Sequence, residues 1–193
     1  MNAMNKIVSK IIFKKNKLLT PNYIALNSVN YKKILKSKLL KNSYLDYPIV
    51  VKPSNEGSSI GVKICKNFKE LKKHANQLIK KYKTLIVENF IGGQEIQVAV
   101  INGKALGAIE LKPKRKFYDY KAKYSKSAET QHLMPANLSN LKYKEVLVLA
   151  KKAQNWLKCR GINRSDIKFK DNEFYLLEVN TQTGMTDLSL VPE

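Results

Sequence analysis

Asp166, Glu178 and Asn180 place oxygen donors on two short segments of alternating apolar and polar residues near the carboxyl end, followed at once by the Gly-containing run TQTGMTDLSLVP. Residues two apart in a strand share a face, so Glu178 and Asn180 point one way while Tyr175, Leu177 and Val179 point the other. The preceding segment, 162–169, alternates likewise, with Ile167 and Phe169 apolar and Asp166 and Lys168 polar. If the hairpin closes through Asp171, Asn172 and Glu173, Asp166 lies opposite Glu178 and the three oxygen-bearing side chains converge. A two-residue turn at Asp171-Asn172 instead pairs Asp166 with Leu177 and turns Glu178 to the wrong face. Convergence therefore requires the odd loop or a bulge. Hard oxygen donors without His or Cys suit Mg²⁺, which takes one or two carboxylates and completes its shell with phosphate oxygens and water. A solvated acidic hairpin face would present the same residues.

Three further segments carry polar chemistry. YPIVVKPSNEGSSIGV sets Lys52 at the end of an apolar strand, before a small-residue loop whose N–H and hydroxyl groups can approach phosphate closely. A plain Gly-Ser hairpin with an exposed lysine reads the same way. In LIVENFIGGQE, Glu88 ends an apolar run and Glu95 follows a Gly-Gly turn, where carboxylates can accept bonds from an amino group or a ribose, or stand as exposed turn acids. FYDYKAKY, residues 117–124, puts aromatics and Lys123 in a long segment of little periodicity, which suits a lid or a disordered loop with surface tyrosines.

The elements that position these groups follow from periodicity. The pattern predicts helices over 5–18, 31–41, 68–82 and 139–157, the last capped by Ser139 with Val146, Leu149, Ala150, Ala153 and Leu157 as its apolar stripe. Strands are predicted over 23–26, 48–51, 60–65, 84–88, 95–101, 105–111 and 162–169, with an Asn102-Gly103 hairpin turn and the closing hairpin strand bearing Glu178. Mostly antiparallel strands with helices beside them make an α+β fold. The division expected is one lobe over 1–95 and a second over 96–193.

The chain has 193 residues and a net charge of +21, enough length for one domain or one plus a small lobe. Nearly all the excess is lysine, spread along the chain, and Arg115, Arg160 and Arg164 are the only arginines. That spread lacks the basic stripe and Arg-aromatic interleaving of a nucleic-acid groove, so no specific nucleic-acid partner is expected. Cys65 and Cys159 form no CxxC pair, which points away from zinc and disulfides and toward a reducing cytoplasm. No stretch reaches the about 18 apolar residues of a membrane span, and lysines interrupt the amino end too early for a signal peptide. His74 and His132 stand alone.

In this order and roughly this spacing, VKPSNEGSSIGV, VENFIGGQE, FYDYKAKY, the Arg164-x-Asp166 pair and LLEVNTQTGMT resemble the D-alanine:D-alanine ligase family of the ATP-grasp superfamily, and the likeness runs from about Met4 to Pro192. The resemblance implies two antiparallel-sheet lobes gripping ATP and an enzyme of peptidoglycan synthesis that joins two D-alanines through an acyl phosphate. It implies Lys6 and Lys52 as phosphate contacts, and Glu88, the Asn89 and Ile91 backbone, and Glu95 as adenine and ribose contacts. Asp166, Glu178 and Asn180 become ligands of two Mg²⁺ ions, replaceable by Mn²⁺. Lys123 becomes a lid lysine near the γ-phosphate, and Ser58 with Tyr124 the pair that locks the lid. Arg164 and the Gly184 N–H would stabilise the tetrahedral intermediate, and Ser189 would hold the second substrate's carboxylate.

Thr183 stands where the family usually has proline, Asn89 where lysine or glutamate is common, and Leu188 where histidine is frequent. The family's amino-terminal α/β domain and its last helix have no counterpart in this sequence. The expectation is a D-alanine:D-alanine ligase, a homodimer when complete. The alternative is a truncated nucleotide-binding remnant without turnover, or one half of a split ligase whose first domain is encoded separately.

Overall fold

Alternating apolar positions build two antiparallel sheets, each with helices packed on one face. The computed structural model describes residues 2–36, 44–112 and 130–184. In chain order its elements are α1 (Lys6–Lys15), β1 (Tyr23–Asn27), α2 (Tyr31–Lys36), β2 (Ile49–Pro53), β3 (Lys63–Cys65), α3 (Phe68–Tyr82), β4 (Thr84–Asn89), β5 (Gln94–Ile101), β6 (Lys104–Lys112), β7 (Gln131–Leu133), α4 (Asn140–Leu157), β8 (Ile162–Lys170) and β9 (Glu173–Asn180). The strands form a four-stranded sheet, β1-β4-β2-β3, and a five-stranded sheet, β7-β6-β5-β8-β9. Two compact units result: a smaller one, Pro21–Ile91, and a larger one drawn from Met1–Thr20 and Gly92–Glu193.

In the smaller unit, Ile49, Val51, Leu85 and Val87 meet Leu71, Ala75 and Ile79 of α3, with Leu26, Leu35 and Cys65 closing the core. Asn67 caps α3: its Oδ1 accepts from Glu70 N at 3.0 Å, while the Glu70 carboxylate accepts from Lys66 N at 2.8 Å. Alternation sends Val50, Lys52, Ile86 and Glu88 to the other face of the sheet, and all four are buried.

In the larger unit, Val146, Ala150, Ala153 and Leu157 of α4 pack on Ile96, Val98, Ala108, Ile167, Leu176 and Val179. Ser139 caps α4 by accepting from Lys142 N, as its position predicts. Helix α1 belongs to this unit and is turned against its hydrophobicity. It buries Lys6, Ser9, Lys10 and Phe13, spaced on one face, and leaves Val8 and Ile11 exposed.

Several boundaries differ from expectation. The division falls not at residue 95 but at 20 and 92, because Phe13 joins the larger core and the Leu19–Thr20 segment hydrogen-bonds β9. Helix 5–18 is shorter at both ends, and within 60–65 only Lys63–Cys65 pair with β2. The stretch 112–135 holds a short strand, β7, that pairs with β6. Among the described residues no helix is long and apolar enough to cross a membrane.

Candidate functional site

The hairpin β8-β9 decides where the oxygen donors go. Asp171 and Asn172, with φ of 51° and 64°, close a two-residue turn of the primed type, so Lys170 pairs with Glu173, Lys168 with Tyr175 and Ile167 with Leu176. Continued unchanged, that register would set Leu177 opposite Asp166. It shifts by one residue instead, and Asp166 pairs with Glu178 and Arg164 with Asn180. Leu177 is thus the extra residue of a β-bulge, the second of the two routes to convergence. The shift corrects the expected stripe of Tyr175, Leu177 and Val179: Phe174, Leu176 and Val179 line the core, and Tyr175 shares a face with Lys168.

The edge beside the bulge is tied down from α1. Lys10 Nζ donates to Thr20 Oγ1 at 2.6 Å, Thr20 Oγ1 donates to Leu176 O at 2.8 Å, and Leu176 N donates to Leu19 O at 2.9 Å. Lys10 is fully buried. On the other side of β8, β5 sets Gln97 opposite Asp166, Glu95 opposite Lys168 and Ala99 opposite Arg164. Three rows therefore cross one face of the sheet: Gln97, Asp166 and Glu178; Ala99, Arg164 and Asn180; Glu95, Lys168 and Tyr175.

Each acid in these rows is met by a cation of the chain itself. Arg164 grips Asp166 with Nε to Oδ1 at 2.8 Å and Nη2 to Oδ2 at 3.1 Å, the two-pronged geometry that fixes both planes. Asn180 Nδ2 donates to Asp166 Oδ2 at 3.0 Å. Lys6 Nζ lies 3.0 Å from Glu178 Oε2, and Lys168 Nζ 2.9 Å from Glu95 Oε2. Cross-strand neighbours of like charge repel, and these cations offset the repulsion between Asp166 and Glu178.

The donor set suits a hard divalent ion. Two carboxylates and an amide oxygen lie on one face, with no cluster of three or more His, Cys, Asp or Glu among the described residues. Mg²⁺ is held in that way, by few protein oxygens with substrate oxygens completing the shell. A further oxygen, Gln97 Oε1, is buried in the same row without a hydrogen-bond partner.

The smaller unit carries a second constellation. Lys52 Nζ lies 2.5 Å from Glu88 Oε1, with side chains 9% and 3% exposed. Asn89 is largely spoken for: its N–H donates to Asn22 O, its Nδ2 to Tyr44 O, and its Oδ1 accepts from Asp46 N. Ser58 sits half-buried in the β2–β3 loop at φ 51°.

In the larger unit, Gly93 precedes Glu95 at φ +80°, and a Cβ there would stand 2.2 Å from Phe169 O, so the turn beside β8 admits only glycine. Ile91 is partly buried and Gly184 exposed. Lys123, Tyr124 and Ser189 lie outside the described residues. A groove of about 810 Å³ lined by Leu19, Leu141, Val148 and Phe174 contains none of the site residues.

The structure thus gathers Lys6, Arg164, Asp166, Glu178 and Asn180 in one cluster, and Lys52 with Glu88 in another. Sequence reasoning missed Lys10, Gln97 and Lys168 as members. The last two could be found by counting: Gln97 stands two residues after Glu95 and Lys168 two after Asp166, so each shares its neighbour's face. Nothing in the local pattern marks Lys10.

Known proteins bear on this arrangement. The family described as "D-ala D-ala ligase C-terminus" matches residues 12–193. A D-alanine–D-alanine ligase of Pelagibacter ubique is 51% identical over 191 residues, covering 99% of this chain and 62% of that protein. The crystal structure of D-alanine–D-alanine ligase from Bacillus anthracis superposes with a TM-score of 0.84 at 32% identity, covering 99% of this chain and 60% of that one. The same enzyme complexed with ATP gives 0.79 at 28%, covering 99% and 59%. This chain spans about three fifths of the length of these proteins.

Proposed function

The chain belongs to the family of the D-Ala–D-Ala ligase C-terminus, and from that premise we propose that it is the ATP-dependent catalytic portion of a D-alanine:D-alanine ligase of peptidoglycan synthesis, acting in the bacterial cytoplasm. Its fold is the α+β ATP-grasp fold of those ligases. The observation that carries the proposal is the bulge at Leu177. It spends a regular ladder to align Asp166 with Glu178 and Arg164 with Asn180.

In the proposed reaction a D-alanine carboxylate oxygen attacks the γ-phosphorus of ATP, and ADP leaves. The amine of the second D-alanine then attacks the acyl phosphate carbon, losing a proton as phosphate departs. Such chemistry needs positioning and charge neutralisation more than a nucleophilic side chain. In the smaller unit Lys52 contacts phosphate, with Ser58 in the loop that follows, while Glu88 and the Asn89 backbone recognise the base. The Asn89 N–H, already given to Asn22, leaves the carbonyl for that contact.

The Ile91 backbone, in the same unit, also serves the base, while in the larger unit Glu95 serves the ribose and Lys6 contacts phosphate. Two Mg²⁺ ions, or Mn²⁺ in their place, would be held by Asp166, Glu178 and Asn180 and would neutralise phosphate oxygens when bound. Arg164, held flat by Asp166, presents its guanidinium to the tetrahedral oxygen together with the Gly184 N–H. Lys123 serves the γ-phosphate from the lid, Tyr124 locks the lid, and Ser189 receives the second substrate's carboxylate.

D-Alanine-dependent phosphate release from ATP and Mg²⁺ tests the proposal on the full chain, with Lys52→Ala and Glu178→Ala as controls. Release abolished by both substitutions supports it. ATP binding without release would place turnover with the portion of the relatives that this chain does not match, supplied as a separate polypeptide. Neither binding nor release would refute it.

A further inference from the structure

Gln97 is the one member of the central row to which no role has been given. It is 2% exposed, lies directly opposite Asp166, and its Oε1 is fully buried without a hydrogen-bond partner. Buried side-chain acceptors are satisfied as a rule, so an orphan marks a place where a donor or cation belongs. Among the described residues the cross-strand neighbours do not supply one. Ile109, opposite Gln97 on β6, is apolar, and Asp166 offers only acceptor oxygens, which are engaged by Arg164 and Asn180. Two acceptors side by side are stable together when a cation, or a water polarised by one, lies against both.

We propose that Gln97 is a positioning residue of the metal site, its Oε1 accepting a hydrogen bond from a water in the ion's shell on the β5 side of Asp166. The inference rests on the assignment of Asp166 and Glu178 as metal ligands. An amide fits this task because it adds an acceptor to the row without adding a third negative charge beside Asp166 and Glu178. Ser165 Oγ and Asn163 Oδ1, also buried without hydrogen-bond partners, lie on the opposite face toward α4 and have no part in the row.

Mn²⁺ titrated onto the full chain, alone and with ADP at fixed concentration, with bound metal read by electron paramagnetic resonance, tests this in four proteins. Gln97→Leu should weaken Mn²⁺ binding about tenfold, the lower end of the loss usual for outer-shell partners of a metal. Gln97→Glu, which keeps the acceptor, should bind at least as tightly as the wild type. Metal-free thermal stability of Gln97→Leu should not fall, because the orphan acceptor is gone.

Unchanged Mn²⁺ affinity in Gln97→Leu, with loss in Asp166→Asn, would overturn the role of Gln97 and leave the metal site standing. Equal affinity in wild type and Asp166→Asn would overturn both. Equal weakening in the Leu and Glu variants together with a lower metal-free melting point would assign Gln97 to structure alone.

Discussion

The two sheets place ion pairs on the face turned away from their helices, but they do so differently. In the smaller unit the pair of Lys52 with Glu88 is withdrawn from water almost completely, among the buried side chains of Val50 and Ile86. In the larger unit three pairs lie in adjacent rows, and their members keep between 9% and 21% of their side chains exposed. A desolvated pair is a commitment, because each partner's loss strands a buried charge. Pairs that water still reaches can trade partners at smaller cost, since water compensates part of what is given up. The larger unit's acids are therefore suited to exchanging the chain's own cations for others, while in the smaller unit Lys52 is fixed in place.

The contrast is most easily broken by substitution. Lys52→Ala should cost about 3–5 kcal/mol in urea unfolding, as expected for removing one partner of a buried pair. Lys168→Ala should cost under about 1 kcal/mol. Similar losses in the two variants would show that burial does not separate the pairs as described. Replacing both Lys52 and Glu88 by apolar residues of like volume should recover most of the loss.

Capping sharpens the comparison at smaller scale. Asn67→Ala in the smaller unit should cost about 1 kcal/mol, and Ser139→Ala somewhat less, since the Asn67 bond is 3.0 Å and that of Ser139 is 3.3 Å. Amide hydrogen exchange along α3 and α4 would assign each loss to its own helix.

The smallest effect expected is alkaline. Burial, and next the charge of Glu70, push the Cys65 thiol from 9.0 up to about 11. A raised pKa means that the folded chain keeps a proton the unfolded chain releases. The contribution is intact below pH 9.0 and is lost as pH rises toward about 11. Unfolding midpoints across that window should fall less steeply in Cys65→Ala than in the wild type. An equal slope would exclude the thiol as its source.

Much of this arrangement was legible from the sequence because it is local. Helix 68–82 stands at its expected bounds, and the Asn102-Gly103 turn follows from residues that tolerate positive φ. What escaped is set by contacts distant in sequence. Helix α1 reads as though Val8 and Ile11 should face inward. The structure turns Lys6 and Lys10 in instead, because Glu178 and Thr20 receive their charged ends. Strand β7 has three residues and owes its existence to pairing with β6. The bulge was foreseen only as one of two options, since Tyr175, Leu177 and Val179 alternate as evenly as any regular strand.

That bulge behaves like a parity bit. Every residue of β9 from Glu178 onward faces where it does because one residue has been inserted out of step, so the identity of Leu177 matters less than the count it contributes. Its removal would exchange inside and outside for all that follows, sending Glu178 and Asn180 toward the core and Val179 toward the site. Substitutions in this strand can be absorbed one at a time, whereas a single-codon deletion would rewrite the whole message.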